Sequence, residues 1–294
     1  MEHLKDKYIN PFTDFGFKKL FGEECNKDLL LDFLNELLYK EEGKIVSITY
    51  LKTERLGISE ESRKAVFDLY CENEKGEKFI VEMQKAKQEY FKERTLYYST
   101  FAITDQAIQG SDWNFELKGV YVVAILNFIL EENETNTEKY RYDVMLTDTE
   151  TSDVFYEKLK YVYLEMPKFK KEADELETHF EKWMYVLKNL NRLNNIPDKL
   201  RERIFEKMFT AAEIAKLTKE EYKAYIDSLN SYRDYKNTLD YAKKEGFVEG
   251  IAEGKTEEKV NTAIRLLKKG MSVEDVSDAT ELPIEQIEQL PITN

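Results

Sequence analysis

Apolar positions change period twice along the chain. Near the start, TDFGFKKLF and NKDLLLDFLNELL set Leu30, Phe33, Leu34, Leu37 and Leu38 three and four apart, which predicts one or two amphipathic helices. KIVSITYLKTER predicts a strand, and KAVFDLYCENEKGEKFIVEMQK, from Lys64 to Lys85, predicts two more around a polar turn. QEYFKERTLYYSTFAITDQAIQG predicts a long helix, with Phe91, Leu96 and Ile103 among its apolar positions and Gly110 as its stop. GVYVVAILNF is β-branched and nearly all apolar, the pattern of a central strand covered on both faces. YRYDVML and YVYLEM predict further strands. An order of helix, three strands, helix, strands predicts an α/β sandwich with a mixed sheet.

From about residue 171 the pattern is helical. HFEKWMYVLKNLN, DKLRERIFEKMFTAAEIAKL and TKEEYKAYIDSLN carry few strand signals, and Thr218 with Glu221 forms a capping box. Further on, Gly246, Gly250 and Gly254 stand four apart. On a helix they make a smooth ridge, and each costs about 1 kcal/mol of propensity against Ala. The spacing fits a self-association contact or a mobile tail. AIRLLKKGMSVEDVSDATELPIEQIEQL predicts a small helical hairpin with Ser272 and Asp275 capping its second helix. Its last helix carries Glu281, Glu285 and Glu288, the wrong residues for reading base edges. Residues 1–170, 171–240 and 241–294 are therefore expected to be an α/β domain, a helical subdomain and an oligomerisation tail.

Composition narrows the chemistry. Apolar residues are 42% of the 294 and aromatics 13%, enough for a sizeable core. The formal net charge is −14, so any nucleic-acid binding must rest on a local basic patch. Cys25 and Cys71 show neither metal spacing nor a disulfide framework, which suits a reducing cytoplasm. The longest apolar run, of about 12 residues, is too short for a bilayer, and the first residues lack a signal-peptide core. With only two His, zinc and serine hydrolases are poor fits.

Asp68 inside VFDLY and Glu82 inside IVEMQ are the candidate chemistry. Strands over Arg63–Glu72 and Glu77–Lys85, with Glu74, Lys75 and Gly76 as a three-residue loop, set Asn73 opposite Glu77. In that register Asp68 faces Glu82. Val66, Asp68 and Tyr70 then share a face with Ile80, Glu82 and Gln84. Phe67, Leu69, Cys71, Phe79, Val81 and Met83 take the other face. Two opposed carboxylates repel unless a cation sits between them. A divalent metal resolves this, and Mg²⁺ prefers one or two carboxylates, waters and a phosphate. A solvated sheet face, with the acids paired to Lys64 or Lys85, accounts for the same pattern.

Asp, a hairpin, Glu-x-Gln and then a helix resemble the PD-(D/E)XK nuclease superfamily, and within it the recombination-promoting nucleases, also labelled putative transposases. PFTDFGFKKLFG, FDLY with IVEMQ, ERTLYYSTFAITDQAIQG and GVYVVAIL carry the resemblance over nearly the whole chain. It implies a restriction-endonuclease-like mixed sheet flanked by helices with a C-terminal all-α region. It further implies a Mg²⁺-dependent deoxyribonuclease, with Mn²⁺ or Ca²⁺ as other candidate ions, acting in recombination, mobile elements or phage defence. Asp68 and Glu82 would bind the metal with the Met83 carbonyl. Gln84 stands where many relatives have the catalytic Lys; its amide can orient a water but cannot carry charge. Asp14 falls where the fold often supplies a third acid, or is a helix N-cap. Lys18, Lys85, Lys87 and Arg94 are expected DNA contacts, with Lys19 and Lys92 nearby; Tyr97 or Tyr98 is expected in the core.

Two other readings fit the residues. One is a nuclease-fold protein of little or no activity acting as a homo-oligomeric interaction module, a dimer through the C-terminal helices. The other is a hydrolase of small phosphates using the same metal site. No P-loop, Rossmann or zinc signature is present.

Overall fold

The computed structural model describes residues 6–55, 65–107, 114–130 and 138–291. The expected strand start at Arg63 and Lys64 and the helix stop at Gly110 lie outside them. Two compact units divide at Tyr232, Met1–Tyr232 and Arg233–Asn294.

The first unit is a six-stranded mixed sheet between two helical layers, as expected from the sequence. Strands β1 (Ile48–Tyr50), β4 (Leu69–Asn73), β5 (Lys78–Gln84), β6 (Val120–Leu126), β7 (Arg141–Thr147) and β8 (Val154–Glu165) are ordered β1-β4-β5-β6-β8-β7. β5, β6 and β8 run parallel, and the outer pairs are antiparallel. Every residue of β6 is buried, which is what its unbroken apolar run requires.

One face of the sheet is covered by α1 (Asp14–Phe21), α2 (Lys27–Glu42), α4 (His179–Asn189), α5 (Arg203–Ala212) and the start of α6 (Lys219–Lys268). Trp183, Phe33, Phe21 and Phe205 meet there, with ring centroids 5.1–5.8 Å apart. The helices from residue 179 to 229 thus share one core with the sheet. His179, at the head of α4, bonds Asp32 at 2.7 Å and Glu202 at 3.1 Å, joining α2, α4 and the approach to α5. Gly16 is obligatory in α1, since a Cβ there would lie 2.1 Å from the Asn10 carbonyl oxygen.

The other face is covered by α3 (Phe91–Thr104). Its buried positions are Phe91, Thr95, Tyr98, Ser99 and Ala102, and Leu96, expected among the apolar positions, is 52% exposed. Polar pairs supply the register: Thr95 Oγ1 lies 2.7 Å from the Tyr163 hydroxyl and Ser99 Oγ 2.7 Å from that of Tyr161. An apolar period cannot reveal a helix docked in this way.

In the second unit, the end of α6, α7 (Val273–Thr280) and α8 (Ile284–Glu288) close around Ala263, Val276, Leu282 and Ile287. Ser272 caps α7, its hydroxyl accepting from the Asp275 N–H. Gly246, Gly250 and Gly254 all lie within α6, and a Cβ at any of them would meet nothing within 4 Å. Among the described residues, no helix is long and apolar enough to cross a membrane.

Candidate active site

The hairpin has the register its turn dictates. Gly76 sits at φ +80°, the left-handed position of the loop, and Asn73 N–H donates to the Glu77 carbonyl at 3.1 Å. Tyr70 then pairs with Ile80 and Leu69 with Val81. Leu69, Cys71, Phe79, Val81 and Met83 enter the core on the α2 side, while Tyr70 and Ile80 point towards α3.

The strand before Leu69 is broken, which corrects the expected face of two residues. Leu51 N–H bonds the Tyr70 carbonyl, but Phe67 N–H bonds the Thr53 carbonyl. Asp68 and Leu69 therefore oppose Lys52 alone, as in a β-bulge. Beyond it, β2 (Glu54–Arg55) and β3 (Ala65–Val66) form a separate small ladder. The extra residue reverses the alternation. Phe67 packs against Tyr70 and Tyr98 on the α3 side, and Val66, expected beside Asp68 and Tyr70, is exposed instead.

The bulge leaves Asp68 against the edge of β5. Its N–H donates to Glu82 Oε1 at 3.2 Å, and its Oδ2 accepts the Met83 N–H at 2.8 Å. The two carboxylates are thus neighbours, with Glu82 only 1% exposed. Gln84 Nε2 donates to Glu82 Oε2 at 3.0 Å. Arg94 Nη2 comes to 3.8 Å of the same oxygen, at the limit of an ion pair. Its stronger bonds go to the Tyr98 hydroxyl at 2.8 Å and to Gln88 Oε1 at 2.7 Å. The arginine is therefore poised beside Glu82 without clasping it.

Burial pushes the Glu82 carboxyl up to about 8, and the Asp68 charge adds to this against Arg94. Burial likewise raises Asp68, with Asp14 adding to it, while the Met83 N–H, Lys18 and Arg94 pull it down. Among the described residues no group of three acidic, His or Cys side chains gathers to hold a metal. Asp68 and Glu82 supply two carboxylates. The Met83 carbonyl leaves the strand on the same edge as its N–H, towards Asp68. Carboxylates and a carbonyl oxygen suit a hard cation that keeps waters.

A cleft of about 510 Å³ opens beside Asp68, lined also by Asp14, Lys18, Lys19, Tyr50 and Ser228. Thr13, not Asp14, caps α1, its hydroxyl accepting from Gly16 N–H at 3.0 Å. Asp14 is the first helical residue and pairs with Lys18 at 3.0 Å. Lys19 is held by Glu23 at 3.0 Å and Glu221 at 2.6 Å, across to α6. Lys85 follows the last residue of β5, and Lys87 and Lys92 are exposed on the way into α3. Tyr98 is the buried one of its pair and Tyr97 is 39% exposed. Sequence reasoning missed Gln88 and Tyr90, which precede α3 and so carry no helical spacing signal.

A six-stranded mixed sheet flanked by helices, with two acids and an amide towards the carboxyl end of one hairpin strand, fits a nuclease-like α/β fold. Residues 11–242 match the family described as PD-(D/E)XK nuclease family transposase, and the chain belongs to that family. Proteins of the PD-(D/E)XK class typically use divalent metal ions. Comparisons with curated proteins and with solved structures give no match.

Proposed function

We propose that the protein is a metal-dependent DNA endonuclease that hydrolyses phosphodiester bonds with Mg²⁺, Mn²⁺ serving in its place. The observation that carries this reading is the convergence of Asp68 and Glu82 on the Met83 edge of β5. Asp68, Glu82 and the Met83 carbonyl would hold the ion. When bound, the ion polarises the phosphoryl group and lowers the pKa of a water. Gln84 orients the attacking water through its amide, and Asp14 adds a third acid across the cleft. Lys18 with Lys85 and Lys87 contacts phosphates on either side of the site, and Arg94 stands next to the scissile group. Membership of a nuclease transposase family supports action on DNA in mobile elements; recombination and phage defence are settings of the same chemistry. A cytoplasmic setting is part of this reading, since disulfides are rare there and Cys25 and Cys71 form none.

The test is nicking of supercoiled plasmid with Mg²⁺. Wild type is expected to cut, and Asp68→Ala to lose on the order of a hundredfold or more. Titration calorimetry should show ion binding in wild type and none in Asp68→Ala. Equal cutting by that variant would refute the assignment.

We infer self-association through α6. Phe247, Val248 and Ile251 are exposed beside the open glycines.

A further inference from the structure

A second cleft, of about 670 Å³, lies between Val66 of β3, residues 88–90 and the first turns of α3, with Arg94 in its wall. Its walls include Tyr90 and Tyr97, which are 67% and 39% exposed. Tyr97 lies on α3 and Tyr90 immediately precedes the helix, and both line the same cleft. Phe101 meets the Tyr97 ring edge-on, with centroids 5.0 Å apart and planes at 90°, and so braces it. Tyr90 holds a left-handed backbone, φ 60° and ψ 33°, as the N-cap of α3. That conformation is costly for a residue with a Cβ, and no side-chain cap bond repays it. The Tyr90 ring is turned out to solvent in the cleft whose wall includes Arg94.

We propose that this cleft seats an unpaired base of the DNA strand being cut, so that the substrate is single-stranded or locally unpaired DNA. The inference rests on the nuclease reading and adds its substrate class. Exposed aromatic faces beside a nuclease centre are stacking platforms, tolerant of sequence because every base has a π-face. The charges here favour a base over a phosphate. Glu89 and Glu93 line the cleft with Arg94, giving two acids against one cation, and their carboxylates can accept from the amino groups of bases. Arg94 is common to both places: it forms part of this wall and stands 3.8 Å from Glu82. A base stacked between Tyr90 and Tyr97 would therefore have its neighbouring phosphate beside Asp68 and Glu82. A continuous duplex keeps its bases stacked and cannot fill the cleft without flipping one out.

The test uses the full chain without metal, and a short single strand carrying one 2-aminopurine, beside the matched duplex. Single-strand binding, read by anisotropy, is expected to be about tenfold or more tighter than duplex binding, with 2-aminopurine emission quenched on stacking. Tyr90→Ala and Tyr97→Ala should each weaken single-strand binding by about fivefold to a hundredfold and relieve the quench. Tyr90→Phe should retain both. The two side chains are solvent-facing, and an unchanged far-ultraviolet circular dichroism spectrum confirms intact folding of the variants. Unquenched emission in wild type, or equal binding by both alanine variants, overturns the proposal. Asp68→Ala should keep the quench while losing cleavage. Failure of the nuclease reading therefore shows in that variant's cutting, and failure of the stacking cleft in the emission.

Discussion

Two glutamates stand at or near the ends of strands of the same parallel trio and are both buried, yet their surroundings differ. Glu165, at the end of β8, has Lys168 at 2.7 Å and the Leu130 N–H at 2.9 Å. Glu82, two residues from the corresponding end of β5, has a carboxylate as its neighbour and an arginine only at 3.8 Å. The register aligns Gln84 with Leu126 and Leu126 with Glu165, so the two sites are two strands apart on one sheet. A buried acid with a cation and an amide in contact is a structural pair. A buried acid beside another acid must either keep its proton or gain positive charge. Both stand at the carboxyl ends of parallel strands, where open α/β sheets bind ligands. Asp68, the neighbour of the underpaired one, lines a cleft that also holds Asp14, Lys18 and Lys19.

Substitutions can break this contrast, and the largest effect belongs to catalysis. Glu82→Gln is expected to lower Mg²⁺-dependent nicking by on the order of a hundredfold or more, whereas Glu165→Gln should lower it only as far as folding suffers. Cutting by Glu82→Gln at the wild-type rate would place the metal elsewhere. Next comes stability. Glu165→Ala strands the buried Lys168 ammonium and should cost about 3–5 kcal/mol in urea unfolding. Glu82→Gln should instead stabilise the metal-free protein at pH 8, because it removes a buried charge and its repulsion. A loss in both variants would erase the distinction between the two sites.

The pH dependence has a definite sign. The folded Glu82 carboxyl is raised from an ordinary 4.5 to about 8, so the folded state holds a proton that the unfolded state has released. Its contribution is complete below about 4.5 and is lost as pH climbs towards 8, on the order of a few kcal/mol. Metal-free wild type should therefore weaken across that window in urea titrations, and Glu82→Gln should weaken less; parallel curves would contradict the assignment. Gln84→Lys brings an ammonium to Glu82, and should shrink the total loss across the same window by about 1–2 kcal/mol. The smallest effect on folding is expected for Gly250→Leu. A side chain there meets open space, so unfolding should gain no more than about 1 kcal/mol of helix propensity while sedimentation shows self-association lost. An unaltered oligomer would remove α6 as the contact.

Much of the site was legible before the fold. Gly76 fixes the turn, the turn fixes the register, and the register brings Asp68 beside Glu82 with Gln84 next in line. The capping signals at Thr218 and Ser272 were equally local: Glu221 N–H bonds Thr218 Oγ1 at 3.2 Å, and Asp275 N–H bonds Ser272 Oγ at 3.1 Å. Other features were not legible, for identifiable reasons. The bulge at Asp68 depends on how β1 and β2 meet the strand, a pairing with residues 51 and 53 that alternation alone does not encode. The burial of α3 rests on Thr95 and Ser99 meeting tyrosines of β8, more than 60 residues away. Asp14 looked like a cap until Thr13 took that role.

By itself, then, the sequence determined the elements, the hairpin and the pairing of two carboxylates, because turns, caps and side-chain alternation act over a few residues. The tertiary structure alone decided which acid is left short of a cation, where Arg94 reaches and which tyrosines stay exposed. Those outcomes depend on burial and on partners distant in the chain, and neither is written in a local pattern.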